Sequence, residues 1–157
     1  VRQRDEQRLE MQMAGGLRAG LSLMRGNIAT TQPAPLIVPR REGEALNWHF
    51  DRSEFTTTLL LQAPEQGGEF IYRSDLRSDD DQNYDGVARL LRGEDKEVKS
   101  LTLAAGTLNV FRGKNTAHKV GTVKGGRDRM IAVFSYFDRP GVVFSREDQL
   151  GFYGRAA

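Results

Sequence analysis

From residue 46 onward, short runs rich in β-branched, aromatic and aliphatic residues follow one another, separated by turn-forming residues. They fall at 46–51, 55–62, 68–73, 98–103, 107–112, 117–123 and 129–137. Several short strands with glycine-containing turns and hardly any helix between them predict a mainly β domain, an all-β barrel or two-sheet jelly roll. Ahead of them, Leu9, Met13, Leu17, Leu21 and Met24 recur at spacings of three and four, which predicts a helical segment over 5–24, broken at Gly15-Gly16. Pro33, Pro35 and Pro39 then flank Leu36-Ile37-Val38, an extended edge segment or linker. The chain therefore reads as a single domain over 1–157, with 1–45 as helical and extended support and 46–157 as the β core.

One insertion interrupts the strands. Asp79 to Gly86 form a polar loop, and Val87 to Arg92 a short helix that Gly93 terminates. Asp81, Asn83, Asp85 and Gly86 imitate the first half of a calcium-binding loop, but Arg92 stands where the bidentate glutamate belongs. A solvated loop beside a cavity mouth is the expectation.

Composition narrows the chemistry. The 157 residues include no cysteine, which removes disulfides, thiolate metal sites and thiol nucleophiles together. The longest apolar runs fall far short of the ~20 residues a membrane helix needs, and Val1 to Glu6 do not resemble a signal peptide. A cytoplasmic setting without membrane contact is the expectation. The chain starts at Val1, not at methionine, and more sequence upstream is expected in the natural protein. With 23 basic and 21 acidic residues interspersed, no basic stripe points to nucleic acid; a small-molecule substrate is expected, with a homodimer as a possible assembly.

Only two histidines are present, and each falls in an apolar, strand-like stretch: Trp48-His49-Phe50-Asp51 and Thr116-Ala117-His118. Alternation along a strand puts His49 and Asp51 on one side. Two histidines and a carboxylate, with further positions open, are diagnostic of non-haem Fe(II) oxygenases. On these residues alone, a strand-end His49, a hydrogen-bonded core His118 and a turn-forming Asp51 explain the pattern equally well. Gly125-Gly126 predicts a hairpin that sets His118 opposite Val133 and Thr122 opposite Arg129. Arg129 would then lie roughly 13 Å from the level of His118, within reach of the far carboxylate of an iron-chelated α-keto diacid, and Arg127 roughly 20 Å away, too far.

The order His49-x-Asp51, His118, Arg129 resembles the Fe(II)- and 2-oxoglutarate-dependent oxygenase superfamily. Phe55 to Phe70, Gly106 to Gly113, Ala132 to Tyr136 and Gly151 to Arg155 are similar to the bacterial family of free amino-acid halogenases and their hydroxylase relatives. That resemblance implies a double-stranded β-helix fold. It implies Fe(II) held by His49, Asp51 and His118, with 2-oxoglutarate anchored by Arg129 and O2 as co-reactant. Halogenases of the family carry glycine where Asp51 stands, leaving a position for chloride; Asp51 implies hydroxylation. The expected activity is hydroxylation of a small polar substrate, a free amino acid or related metabolite, with a halogenase or a non-catalytic jelly-roll binding module as alternatives. Trp48, Thr58, Glu69 and Asn109 are further candidates for the substrate pocket, Glu69 as a partner for a substrate amine, although packing or turn chemistry accounts for each as well. After His118, relatives commonly read Val-Thr-Pro-Val; Val120-Gly121-Thr122-Val123 departs from that pattern, and a looser strand is expected there.

Overall fold

The β-rich runs become strands that cross, one after another, between two facing sheets. In the computed structural model, which describes Gln12–Met13 and residues 36–153, the elements are β1 (Gln12–Met13), β2 (Leu36–Arg40), β3 (Leu46–His49), β4 (Phe55–Gln62), β5 (Gln66–Gly67), β6 (Phe70–Arg73), α1 (Tyr84–Leu91), β7 (Lys99–Leu101), β8 (Leu108–Phe111), β9 (Ala117–Val120), β10 (Val123–Lys124), β11 (Arg129–Tyr136) and α2 (Arg146–Tyr153). A five-stranded sheet has the order β1-β8-β4-β11-β2, and a four-stranded sheet the order β3-β9-β6-β7. A short β10-β5 ribbon accompanies them.

This order is the signature of a double-stranded β-helix. Of the strands β2, β3, β4, β6, β7, β8, β9 and β11, only β6 and β7 are successive and paired with each other; every other step changes sheet. Apart from the parallel pairing of β1 with β8, the ladders are antiparallel. Side chains alternate along each strand, so one face of each sheet turns toward the space between them. Phe70, Tyr72 and Phe111 pack at one end of that space, with Leu101 and Leu103 against them. A second cluster, Leu76, Leu90 and Ala117, with Trp48, Phe50, Val87 and Val98 around it, anchors α1 to the outside of the smaller sheet. Each fully buried aromatic or aliphatic side chain contributes roughly 1.5–3 kcal/mol.

The insertion loop is organised by hydrogen bonds within itself. Asn83, in the left-handed region at φ 47°, accepts the N–H of Gly86 and opens α1. Glu94 N–H to Arg89 C=O and Gly93 N–H to Leu90 C=O close the helix, with Gly93 at φ 76°, the paired bonds of a Schellman motif. The loop borders a small separate pocket and does not line the large cavity, contrary to expectation.

Strand positions follow the sequence closely, with three corrections. First, Gly125-Gly126 does not fold β9 onto β11. His118 lies opposite Tyr72 and His49, and Val133 opposite Thr58 and Leu36. The expected run 117–123 is broken after Val120, where the chain leaves the smaller sheet and Val123–Lys124 pair with β5 instead. Gly121 N–H donates to Glu69 C=O, and Thr122 C=O accepts from Gly68. A glycine pair marks a turn, but not which strands it joins. Second, within the stretch expected to be helical, Gln12–Met13 instead pair with Asn109 and Val110 of β8. The open edge of β8 offers backbone donors and acceptors that override local periodicity. The remainder of 5–24 lies outside the described residues. Third, α2 was not foreseen, although Ser145-x-x-Asp148 is a helix-start signature: the Asp148 N–H donates to the Ser145 hydroxyl, which donates to the Asp148 carboxylate. Among the described residues, no helix is long and apolar enough to cross a membrane.

Gly67, at φ 72°, brings β5 against Thr122, and a Cβ there would overlap the Thr122 carbonyl. Gly67→Ala should therefore cost at least ~2 kcal/mol, combining backbone strain with overpacking. Gly93→Ala, with the same sign of φ and open space around it, should cost only about 1–2 kcal/mol. Urea denaturation of the two variants separates the contributions; equal losses would show that the contact with Thr122 is immaterial.

Candidate metal centre and its cavity

His49 ends β3, and a register shift between Leu46 and His49 decides where it points. Leu46 pairs with Val120 and His49 with His118, so both line the cavity despite being three residues apart. A bulge has this effect, since an extra residue inverts the alternation beyond it. Asp51 lies past the end of β3, in the loop to β4, held by its N–H to the Gly113 carbonyl (3.0 Å). The turn, and not strand alternation, therefore brings it beside His49.

The three side chains converge. Their ligand atoms all lie within 4.8 Å of one another, with Asp51 Oδ1 3.6 Å from His49 Nε2 and 3.4 Å from His118 Nε2. Each imidazole is oriented by its other nitrogen: His49 Nδ1 meets the Asn47 carbonyl at 2.8 Å and His118 Nδ1 the Thr116 carbonyl at 2.9 Å. A carbonyl can only accept, so Nδ1 carries a proton in each ring and Nε2 is turned to the carboxylate, donating to it when protonated and offering a lone pair to a metal when not. Thr56, on β4 of the opposite sheet, donates its hydroxyl to Asp51 Oδ2 at 2.5 Å. The carboxylate thus has one oxygen fixed and the other turned to the histidines. Phe70 and Phe111 wall in His118, with ring centroids 5.6 and 4.8 Å away.

Burial would raise the Asp51 carboxyl, but the His118 and His49 imidazoles and the Thr56 hydroxyl hold it well below the usual carboxylate range. Burial pulls His49 down, and Asp51 and the Asn47 carbonyl more than offset it, so its pKa lies above the ordinary value. The result is an ionised carboxylate between two oriented imidazoles. Two nitrogen donors and one oxygen donor suit a divalent transition metal, and with no thiolate present the set matches the two-histidine, one-carboxylate arrangement of non-haem iron.

These residues line a cavity of about 710 Å³ between the sheets, within the size range of small-molecule sites. Arg129, Ile131, Val133 and Ser135 project into it from alternate positions of β11. Arg129 is only 3% exposed, and its Nε donates to the Gly68 carbonyl at 3.0 Å. Burial, with a contribution from the charge of Arg40, lowers its pKa to about 10, so it stays cationic at neutral pH. It shares the cavity with His118 although the hairpin that pointed to it does not form. Arg127 is engaged elsewhere, donating to the Ala63 and Pro64 carbonyls.

The remaining candidates divide. Thr58 lines the cavity. Trp48 does not: the bulge in β3 sends it to the α1 cluster, where Lys119 Nζ sits 5.1 Å from its ring. Glu69 is also outside, beside Gly121. Asn109 is fully buried, opposite Thr58 in the β4–β8 ladder, but it does not border the cavity, and its amide has no partner among the described residues. Sequence reasoning missed Arg40 and Arg52, and also Phe144, which lies just before α2; all three border the cavity. The β-strand spacing of Leu36, Val38 and Arg40 was the available signal for the first.

The family described as HalD, Halogenase D, matches residues 32–142, a span that holds His49, Asp51, His118 and Arg129. The chain belongs to the halogenase D family. No curated protein matches it in sequence. Among solved structures, this halogenase D family member is similar to a Burkholderia pseudomallei oxidoreductase of the 2OG-Fe(II) oxygenase family, at 18% identity and a TM-score of 0.48, covering 66% of this chain and 41% of that one. A Pseudomonas putida prolyl-4-hydroxylase is 21% identical with a TM-score of 0.44, covering 66% and 50%. HygX from Streptomyces hygroscopicus, with iron bound, is 13% identical with a TM-score of 0.49, covering 81% and 65%. The chain thus spans less than two thirds of the length of each of these structures.

Thr56 tests the carboxylate's support directly. Thr56→Val keeps the shape but removes the hydrogen bond to Asp51, and should weaken divalent-metal affinity by about 10–100-fold. Competition titration against a chromophoric chelator measures this. Unchanged affinity would mean that the hydroxyl does not orient Asp51.

Proposed function

We propose that the chain is an Fe(II)- and 2-oxoglutarate-dependent hydroxylase acting on an unactivated C–H bond of a small polar molecule, a free amino acid or related metabolite. The observation that carries this reading is one cavity bearing both the His49, Asp51 and His118 donor set and a buried, cationic Arg129. His49, Asp51 and His118 would hold the metal. With its Nε committed to Gly68, Arg129 keeps both Nη groups for the far carboxylate of 2-oxoglutarate. The chemistry the iron supplies is oxidation by O2 of 2-oxoglutarate to succinate and carbon dioxide, coupled to conversion of substrate C–H to C–OH.

The residues of the chain supply position and environment. Phe70, Phe111, Ile131 and Val133 line the cavity with apolar surface and limit water near the metal site. Phe144 borders the same cavity just ahead of α2, and the Arg52–Asp148 ion pair (2.9 Å) ties the metal-binding loop to that helix.

The family description favours a second reading, halogenation. Asp51 weighs against it. Its carboxylate is wedged against Gly113, where a Cβ would overlap Oδ2, and fixed by Thr56. A side chain so tightly accommodated is a resident ligand, and it occupies the place a halide would need.

Anaerobic titration of the Fe(II) protein with 2-oxoglutarate should produce a metal-to-ligand charge-transfer band, and a screen of free amino acids should find one that drives succinate release. Product masses with chloride present should show addition of oxygen; addition of chlorine would make the chain a halogenase. Arg129→Ala should weaken 2-oxoglutarate binding by about 3–5 kcal/mol, the cost of removing one partner from a buried ion pair. A folded protein with no band would overturn the oxygenase reading.

A further inference from the structure

Arg40 and Arg129 are direct partners across the β2–β11 ladder, and both line the cavity. Like charges directly opposite on adjacent strands are destabilising, yet neither arginine has a carboxylate partner among the described residues. The third arginine on the cavity wall, Arg52, differs, being paired with Asp148 at 2.9 Å. Asp51 is the one acidic residue among those lining the cavity. The wall therefore carries an excess of positive charge that no described residue answers.

The assignment of 2-oxoglutarate to Arg129 does not remove that excess. A divalent metal and the Asp51 carboxylate together carry one positive charge, and the cosubstrate dianion, set against these and Arg129, leaves Arg40 over. Arg40 also differs from Arg129 in position. Arg129 lies deep and is tied to Gly68, whereas Arg40 is half-buried at the end of the sheet-edge strand β2. Its charge is felt at His49 as well as at Arg129, although it is the smaller influence on both. It thus lines the same cavity as the metal site and the cosubstrate anchor, within electrostatic reach of both.

We infer that Arg40 is a specificity-determining residue that binds an anionic group of the substrate, a carboxylate, through its guanidinium fork. This rests on the reading that 2-oxoglutarate occupies Arg129. It replaces the expectation of a substrate amine at Glu69, which lies outside the cavity. A guanidinium matches a carboxylate bidentately, and an amide of the same shape forfeits the charge and one acceptor. The walls described here thus favour acids over their neutral amides.

The test is calorimetric and needs no turnover. Protein loaded with redox-inert Zn(II) and saturated with 2-oxoglutarate is titrated with the common free L-amino acids and with the carboxamide of each that binds. In the wild type the carboxamide should bind about tenfold more weakly or worse. In Arg40→Gln that preference should disappear, while 2-oxoglutarate affinity changes less than about threefold; Arg40→Lys should keep part of the preference, since charge without the fork remains. Four results would overturn the inference: no amino acid binding, equal binding of acid and amide by the wild type, an undiminished preference in Arg40→Gln, or a loss of 2-oxoglutarate affinity in Arg40→Gln as large as in Arg129→Gln. The last would make Arg40 a second arm of the cosubstrate anchor. Acid-selective binding through Arg40 without succinate release from the Fe(II) protein would sink the oxygenase reading and leave this one standing.

Discussion

The Asp51 carboxylate is the point at which the two sheets meet chemically. One oxygen accepts from Thr56 on the larger sheet, and the other faces His49 and His118 on the smaller. A carboxylate taken out of water is costly unless nearly every lone pair is engaged. Here both histidines are held by Nδ1 to Asn47 and Thr116, so each turns Nε2 to the carboxylate. With Nε2 deprotonated, three lone-pair donors converge within 4.8 Å of one another. A divalent metal would satisfy all three residues at once.

The fold was legible because strand-forming runs and turns are local, and β4 and β11 fall almost residue for residue where expected. Pairing was not legible, because it is a property of two distant segments. The Gly125-Gly126 hairpin failed for that reason, and in a double-stranded β-helix consecutive strands mostly belong to opposite sheets. Arg129 nonetheless lay on the correct wall. Alternation along β11 fixed its face, and the convergence of both sheets on one cavity placed it near His118, whatever the hairpin. Trp48 shows the opposite case: a one-residue bulge, invisible in a single sequence, exchanged the faces of Trp48 and His49. Had β3 been regular, the tryptophan would have faced the cavity and the histidine the helix cluster.

One border of the cavity is held by contacts that hydrophobic patterning does not reveal. Arg52 follows the metal-binding Asp51 directly, and its ion pair with Asp148 couples that loop to the first turn of α2. Arg52 is 65% exposed, so the pair is screened and of modest strength. Phe144, buried just before α2 and packed edge-on to Phe137 (6.3 Å), gives the same segment an apolar foothold.

Charge and shape then act on different parts of the reaction. His49 sits on a bulge and Asp51 in the loop after it, held by the Thr56 hydroxyl and by its own N–H to the Gly113 carbonyl, while His118 lies on β9. Such rigidity favours one coordination pattern and disfavours an exchangeable ligand in the place of the carboxylate. The arginines sit on regular strands, where side-chain length lets them adapt to what occupies the cavity. On the hydroxylase reading, a rigid centre would fix the bond-making chemistry and the cationic wall would act on which molecule is brought to it. The two could then diverge separately: replacing Asp51 would act on the centre, whereas changing Arg40, opposite Arg129, would act on the cavity wall.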